Sequence, residues 1–483
     1  MLKKNSLHKN YFLQIANTLI VNVIPIFTIP YLTRVLGPDN LGYYSYLASI
    51  ASYFVLFANL GSASYGTREV AYSQASKEKY SEKFCGIQVM RTIIGSGVLF
   101  VYLIFSLFFN ADKIVLLILA LNIVNVIFDI SWFYSGLEDF STVVRRTMIV
   151  KIIYVVSLFT AVNSVDDFHR YVLIEVGALI LTSIFLWKGI RKRVIFSLPS
   201  APWHHFRNFI SFFIPALAIQ LYTVVDKTMI GMFAIDTYNE NAYYEFAQNI
   251  VRSCLFICTA LTTVSSPRIS FSIASHDYDQ MRSRLYFSYR FVWFTALPIC
   301  IVLWFIAPVF VPAYFGPGYD KIAVLIRVLC PLVPIIGLST TSGNQFFMPM
   351  NYVRFQSISL ITGSIVNIFL NLLLIPKYAA IGASIASVIA EFSVSTMQLI
   401  FIHHIDQLKI WRILGSSLKY IAACIVMVIV YSIVSPFFST GVIPAVCLAI
   451  IGVATYFVAL IVFRDKWVWA YIHRIKELRA SHN

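Results

Sequence analysis

Residues 220–231 read QLYTVVDKTMIG and lie within a run, residues 209–234, that is otherwise apolar and aromatic. A run of this length crosses about 30 Å of hydrocarbon as a helix, because each helical residue advances about 1.5 Å. An Asp beside a Lys is costly in such a place, since charged groups lose their hydration in lipid. The stretch therefore predicts a membrane-spanning helix whose charged residues serve a purpose other than anchoring it in lipid.

The whole chain has the composition of a membrane protein. Of its 483 residues, 59% are hydrophobic and 12% are charged, and the mean hydropathy is +0.77. This is more apolar side chain than one soluble core needs. The apolar runs are about 20 residues long, as spanning helices require, whereas a membrane β-barrel would show alternating segments of about 10 residues. We therefore predict an all-α polytopic membrane protein.

Apolar runs between charged or turn-rich breaks give about 14 candidate transmembrane helices. They lie near residues 11–33, 43–63, 87–108, 113–135, 147–164, 170–188, 208–235, 242–265, 289–311, 321–341, 353–375, 379–402, 416–436 and 441–463. The basic start of the chain is followed by an apolar run that is too long for a signal peptide, so we expect the first run to remain as a helix.

The positions of basic residues test this count, because Lys and Arg accumulate on the cytoplasmic side of membrane proteins. With both termini in the cytoplasm, most of the 37 Lys and Arg fall in or beside cytoplasmic segments, and we place only Lys227 and Arg252 within spans. With an odd number of helices, the basic residues would no longer collect on one side of the membrane. The net charge of +15 is thus mainly a sign of topology, and we predict no nucleic-acid partner.

The sequence lacks the motifs that mark several other functional classes. There is no GxxxxGK[ST] motif for ATP hydrolysis, and the seven Cys show no CxxC pairing pattern. The two His-His pairs, at 204–205 and 403–404, lie at predicted helix ends, where a solvated turn is favoured over a metal site. We predict no cofactor and no metal. An integral-membrane enzyme of polysaccharide assembly stays a more distant alternative, because the short outer loops leave little room for a catalytic domain.

Two segments 200 residues apart resemble each other. Residues 43–50 read YYSYLASI and residues 243–250 read YYEFAQNI, and each follows a helix that ends in a hydrophobe-Gly pair. An even number of helices per repeat makes a parallel duplication, which is a plan that transporters use. We predict two parallel six-helix lobes around a central cavity, at residues 1–200 and 201–405. Residues 406–483 add two transmembrane helices and a basic cytoplasmic tail.

Polar residues recur at helical spacing within the spans. Three sets follow this pattern: Gln220, Thr223 and Lys227; Glu245, Asn249 and Arg252; and Ser384, Ser387 and Glu391. Each set forms one stripe on its helix. Two interpretations stay open, because such stripes line wet cavities in some proteins and hydrogen-bond neighbouring helices in others. We favour the cavity for the charged members.

Six blocks of the sequence, taken together and in order, carry a family resemblance. They read PIFTIPYLTRVLGPDNLGYYSY, VVDKTMIGMF, AYYEFAQNIV, TVSSPRIS, GNQFFMP and VNIFLNLLLIPKYAAIGASIASVIAE, between residues 11 and 401. These blocks resemble the Wzx-type oligosaccharide flippases of polysaccharide export. Those flippases share a superfamily with the multidrug and toxin extrusion antiporters and the lipid II flippases.

The resemblance implies a substrate, a location and a mechanism. The substrate is an undecaprenyl-pyrophosphate-linked oligosaccharide, which moves from the inner to the outer leaflet of the bacterial cytoplasmic membrane by alternating access of the two lobes. A proton or Na⁺ is the implied coupling ion. Membrane lipids and other polysaccharide-assembly proteins are the implied partners.

A sugar-diphosphate headgroup is large, hydrated and anionic, so it needs a wet and cationic cavity. Arginine suits phosphates because its planar guanidinium donates paired hydrogen bonds and stays charged when desolvated. The candidates for headgroup binding are Arg34, Arg68, Lys227, Arg252 and Arg268.

Asp226 and Glu391 are the candidates for ion coupling, since a low dielectric favours the neutral form of a carboxyl group. The in-span charges are mixed in sign, with Asp129 and Glu175 as further acids. A multidrug or cation antiporter of the same fold, whose cavity should be acidic, therefore stays the alternative.

Overall fold

A computed structural model describes residues 4–197, 203–234, 238–405, 408–465 and 467–470. Within these ranges every regular element is a helix. Contacts between residues divide the chain into two compact units. Unit 1 comprises Met1–Met232 with Asp236–Ala242, and unit 2 comprises Phe233–Ile235 with Tyr243–Asn483.

Nine α-helices follow one another in the described part of the chain up to Phe233. They are α1 (Lys4–Asn59), α2 (Ser62–Ser73), α3 (Lys77–Phe108), α4 (Lys113–Phe128), α5 (Ser131–Gly136), α6 (Phe140–Ala161), α7 (Phe168–Trp187), α8 (Ile190–Arg193) and α9 (His204–Phe233). Helix α1 contains two predicted spans, which meet where Gly37 leaves the helical conformation at φ 76°. Glycine adopts a positive φ without the steric cost that a side chain brings, which explains why position 37 is a glycine.

Eight α-helices follow in the described part after residue 238. They are α10 (Asn239–Ala274), α11 (Tyr278–Phe315), α12 (Lys321–Leu329), α13 (Leu332–Thr341), α14 (Val353–Ile405), α15 (Ile410–Gly415), α16 (Leu418–Val434) and α17 (Val442–Val462), with a π-helical segment at Ser342–Phe347. Helix α14 also joins two predicted spans, and its backbone leaves the helical conformation at Ala379. Pro376 precedes this kink, and proline removes one hydrogen bond from the helix.

Nine helical segments of the described chain are long and apolar enough to cross a membrane. Two of them, Ile24–Ser73 and Val353–Ile405, span 50 and 53 residues, and each covers more than one predicted crossing. Helices α6, α9 and α10 overlap three further predicted crossings but are not among the nine. The prediction of an all-α polytopic membrane protein is confirmed, whereas the count of 14 crossings and the lobe boundaries stay predictions.

Helix α9 packs closely on α1 and on the turn before α2. The backbone of Gly231 lies against the Tyr46 ring so closely that a Cβ would collide with it. Near the other end of α9, a Cβ on Gly61 would come within 2.7 Å of the Phe212 backbone. Gly61 also has a positive φ of 74°. Gly231 therefore lies at a close contact between two helices of unit 1, α9 and α1.

The first Tyr of each repeated segment makes an equivalent contact. Tyr43 Oη accepts a hydrogen bond of 2.8 Å from the Asp112 N–H, in the loop between α3 and α4. Tyr243 Oη donates a hydrogen bond of 2.9 Å to the Gly318 carbonyl, in the loop between α11 and α12. These loops join the third and fourth predicted crossings and the ninth and tenth. The contacts thus repeat with the six-helix period that the sequence repeat predicts.

Asp112 joins two helices at the predicted outer end of unit 1. Its Oδ1 caps α4 by accepting hydrogen bonds from the N–H groups of Ile114 and Val115, at 2.8 and 3.3 Å. Its Oδ2 lies 2.7 Å from His169 Nε2 on α7. Burial acts to raise the pKa of Asp112, but the hydrogen bonds from His169 and the two backbone groups outweigh it and lower the pKa. The stability from this site is therefore present at neutral pH and is lost only as the pH falls through the lowered pKa.

Candidate functional site

The Asp-Lys pair lies in the part of α9 that packs on α1. Asp226 has 1% of its surface exposed, whereas Lys227 is half-buried, and both interact with neighbouring groups. Adjacent helical residues point about 100° apart, so the two side chains have different surroundings. Two residues further along α9, Thr228 Oγ1 lies 3.2 Å from the Tyr53 hydroxyl oxygen. Asp226 is thus an acid enclosed by protein.

Hydroxyl and amide groups join α9 to α1 on both sides of this pair. Thr228 Oγ1 lies 2.8 Å from Ser49 Oγ, and Gln220 Nε2 donates a hydrogen bond of 2.9 Å to Ser52 Oγ. Ser52 in turn donates to the Ser49 carbonyl at 2.6 Å. Gln220, a member of a predicted stripe, therefore acts as an interhelical hydrogen-bond donor.

Arg252 lies on the more accessible side of α10. It is half-buried, and its Nε is buried with no hydrogen-bond partner among the described residues. Asn249, about one turn earlier, is exposed. The packed side of α10 carries Tyr244 and Gln248 instead, and Tyr244 Oη lies 2.9 Å from Ser387 Oγ on α14. The predicted stripe of α10 is therefore separate from the face that packs on α14.

Glu391 is a buried carboxylate on α14, one turn beyond Ser387. It interacts with neighbouring groups. Ser384, the third member of this predicted stripe, is fully buried and donates to the Ala380 carbonyl at 2.8 Å. The whole stripe thus lies inside unit 2, where protein rather than lipid surrounds it.

The remaining predicted headgroup residues are exposed. Arg34 Nη1 donates to the Pro30 carbonyl at 3.0 Å, one turn back on α1. Arg268 is exposed next to Pro267 on α10. Arg68, on α2, has 44% of its side chain exposed and lies 3.3 Å from Glu69. Arg34 and Arg68 belong to unit 1 with Asp226 and Lys227, whereas Arg252, Arg268 and Glu391 belong to unit 2.

Arg91, near the start of the predicted span 87–108, is a buried cation. It has 1% of its surface exposed, and its Nη1 donates to Ser62 Oγ at 2.6 Å and Asn59 Oδ1 at 3.2 Å. Its Nη2 donates to the carbonyls of Val126 and Asp129, at 2.7 and 3.4 Å. These acceptors lie at or near the ends of α1 and α4, where carbonyls lack helical partners and the helix dipole is negative. Arg91 is therefore held by the ends of neighbouring helices inside unit 1, and the placing of only Lys227 and Arg252 within spans stays a prediction.

Glu175 is a second acid of unit 1 with protein partners. It lies on α7, interacts with neighbouring groups, and is near enough to Tyr154 of α6 for the two polar groups to influence each other. The sequence pattern indicates no role for Glu175, although it lies within the predicted span 170–188, because it belongs to no polar stripe.

Solved structures with the same fold are transporters. The chain is similar to the lipid II flippase MurJ in an inward closed conformation, with a TM-score of 0.74 and 17% identity, covering 94% of this chain and 99% of that one. It is also similar to a multidrug resistance MATE family transporter of the MOP superfamily in an inward-facing conformation. That match has a TM-score of 0.64 and 10% identity and covers 81% of this chain and 95% of the other. At these identities the likeness concerns the fold alone.

Relatives and a family model agree with the resemblance of the sequence blocks. Two proteins named "Putative O-antigen transporter" are each 23% identical to this chain, one from Escherichia coli (strain K12) over 398 residues and one from Shigella dysenteriae over 389. They cover 79% and 76% of this chain, and 93% of each relative is matched. The family model described as polysaccharide biosynthesis protein matches residues 7–273, more than half of the chain. This multi-pass membrane protein therefore belongs to the polysaccharide biosynthesis protein family.

Proposed function

We propose that this protein is a flippase for an undecaprenyl-pyrophosphate-linked oligosaccharide repeat unit. It moves the unit across the bacterial cytoplasmic membrane by alternating access, for assembly of O-antigen or capsule, and both of its termini lie in the cytoplasm. Membership of a polysaccharide biosynthesis family, relatives named as O-antigen transporters, and the fold of a lipid II flippase support this proposal. Because these relatives are named as transporters, we expect no enzymatic activity.

The single observation in the chain that supports this function best is the position of Arg252. A guanidinium within a spanning helix is costly unless it faces water or a partner. The Nε of Arg252 has no hydrogen-bond partner within the described ranges, and its side chain is half-accessible. A diphosphate fits this group because guanidinium donates paired, charge-assisted hydrogen bonds to phosphate oxygens.

The other predicted site residues take complementary roles. Arg34, Arg68, Arg268 and Lys227 are either exposed or half-buried, so they can add positive charge along the path of the headgroup. Asp226 and Glu391 are buried acids, one in each unit. A buried carboxyl group exchanges a proton or Na⁺ at a free-energy cost that changes with its surroundings, so both acids suit ion coupling.

A multidrug or cation antiporter is the alternative function. The fold likeness to a MATE family transporter favours it, as do the buried acids Asp226 and Glu391. Its substrate would be an organic cation, so a transport assay with two substrates separates the two functions.

We expect the purified protein, reconstituted in vesicles, to carry a fluorescent polyprenyl-pyrophosphate saccharide between leaflets. Headgroups that start on the inner leaflet become accessible to an impermeant glycosidase outside, and protein-free vesicles provide the control. Ethidium uptake is measured in parallel under a proton or sodium gradient. Gradient-driven ethidium uptake without headgroup movement would favour the antiporter instead.

Asp226→Asn is expected to separate substrate binding from ion coupling. The amide keeps the shape of the carboxylate and most of its hydrogen bonds, but it takes up no proton at neutral pH and carries no negative charge to balance Na⁺. Transport by this variant should therefore ignore an imposed pH or sodium gradient, while binding of the lipid-linked saccharide survives. Asp39→Asn, the same change at an exposed position of α1 just after Gly37, is the matched control. An Asp226→Asn variant that responds fully to both gradients would assign Asp226 a structural role.

A further inference from the structure

An arginine stacked on aromatic rings lies where α2 meets the start of α9 in unit 1. The guanidinium carbon of Arg68 is 4.8 Å from the ring centre of Phe212, 5.5 Å from that of Tyr65 and 6.0 Å from that of Tyr72. Tyr72 has 80% of its surface exposed. We call these four residues the Arg68 cluster. It combines a cation with ring faces, and it is open to its surroundings.

The inner side of the Arg68 cluster is held in place by hydrogen bonds. Tyr65 is buried, and its hydroxyl lies 3.0 Å from His205 Nδ1 and accepts a hydrogen bond of 3.3 Å from Asn208 Nδ2. Two residues of α9 thus fix the ring on which Arg68 rests. A fixed ring lowers the entropy that the guanidinium loses when it binds a ligand.

The cations at this place share one carboxylate. Glu69 lies 3.3 Å from Arg68 Nη2 and 3.7 Å from Lys83 Nζ. Ion pairs at exposed positions contribute little to stability, so an incoming anion can exchange with Glu69 at low cost. The carboxylate therefore marks the place where the oxygen atoms of an anionic ligand would lie.

The position of the Arg68 cluster in the chain fits the start of the transport path. Lys83, which shares Glu69 with Arg68, belongs with Lys77 and Lys79 to one of the basic groups that the charge distribution assigns to the cytoplasm. A headgroup made in the cytoplasm reaches this side of the membrane first. Exposed aromatic faces beside a cation suit a ligand that carries a sugar next to its phosphates, because each ring packs an apolar face while the cation binds the anion.

We propose that the Arg68 cluster is the first docking site for the diphosphate and the adjoining sugar of the lipid-linked substrate. Arg68 and Lys83 bind the phosphate oxygens, and Tyr72 packs on the sugar. Glu69 occupies the site until the diphosphate replaces it. This inference rests on the proposed flippase function, and it assigns entry of the headgroup to a site other than Arg252.

The test measures binding to full-length protein in nanodiscs of uncharged lipid. The probe is a polyprenyl-pyrophosphate monosaccharide, with inorganic pyrophosphate as the soluble comparison. Arg68→Ala should weaken binding of the lipid-linked probe about tenfold, the effect of one charge-assisted hydrogen-bonded pair. Arg68→Lys should bind the probe with an affinity between those of the wild type and Arg68→Ala, because an ammonium group lacks the planar pair of donors and does not stack on aromatic rings. Glu69→Gln should tighten binding, because it removes the competing charge.

Arg207→Ala is the matched control, since Arg207 is an exposed arginine at the same end of α9. It should bind the probe as the wild type does. Opposite effects at Arg68 and Glu69 support the site, because an arginine that only anchors the helix in the interface would not produce them. Equal losses in Arg68→Ala and Arg207→Ala, or weaker binding in Glu69→Gln, would overturn it. The site would also be overturned if the wild-type protein bound inorganic pyrophosphate as tightly as it binds the lipid-linked probe.

The outcome also separates this inference from the proposed function. If the wild-type protein moves headgroups across vesicles but Arg68→Ala binds the probe normally, the docking site is wrong and the flippase stands. If the protein moves no headgroups yet binds the probe with the expected signs, the site stands and the transport function is wrong.

Discussion

Arg252→Ala is expected to reduce translocation of the lipid-linked oligosaccharide about 100-fold while the protein stays in the membrane at its normal level. Arg252 lies about 13 residues into the 36-residue helix α10, hence roughly 20 Å from its start. No described residue accepts a hydrogen bond from its Nε. We therefore expect its removal to cost the fold little, while the anionic headgroup of the proposed substrate loses a partner.

Two further variants make this prediction specific to the guanidinium. Arg252→Lys keeps the charge but not the planar pair of donors, so it should restore export only in part. Arg354→Ala removes an exposed arginine at the start of α14 and should export normally. Surface glycan and membrane protein levels are measured for each variant in the same cells. Full export by Arg252→Ala would remove this residue from the site.

Arg91→Met is expected to lower the free energy of unfolding by about 3 kcal/mol, since each buried acceptor left without a donor costs about 1–3 kcal/mol. Methionine fills similar space but donates no hydrogen bond. The carbonyls of Val126 and Asp129 and the side chains of Ser62 and Asn59 then lose their donor. Since the total stability of a domain is about 5–15 kcal/mol, the level of folded protein in the membrane should fall strongly.

The thermal stability of the purified protein in detergent measures this loss directly. Arg91→Lys keeps a charge but reaches fewer acceptors, so its thermal stability should lie between those of the wild type and Arg91→Met. Arg146→Met is the matched control, because Arg146 donates to the carbonyls of Leu186 and Lys188 at the end of α7 but is only partly buried. A larger loss in Arg146→Met than in Arg91→Met would contradict the role given to burial.

The sequence alone determined the class of the molecule. Run length and hydropathy require no knowledge of neighbouring helices, and they predicted an all-α membrane protein that the structure and the family both support. The repeated YY segments also predicted a duplication, which stays a prediction; Tyr43 and Tyr243 each bond the backbone of a loop six predicted crossings apart, one as acceptor and the other as donor. The transport roles of the predicted site residues and the boundaries of the lobes stay predictions.

The surroundings of each polar residue were decided by the tertiary structure. Arg91 lies near the start of a predicted span, where an arginine is usually interfacial, yet the ends of two other helices enclose it. Gln220 belongs to a polar stripe, yet it bonds Ser52 across a helix contact, whereas Arg252 has the same spacing and stays half-accessible. Helical spacing gives the angle of a side chain on its own helix. The identity of what lies opposite depends on how distant segments pack, and the sequence pattern of one helix does not contain that information.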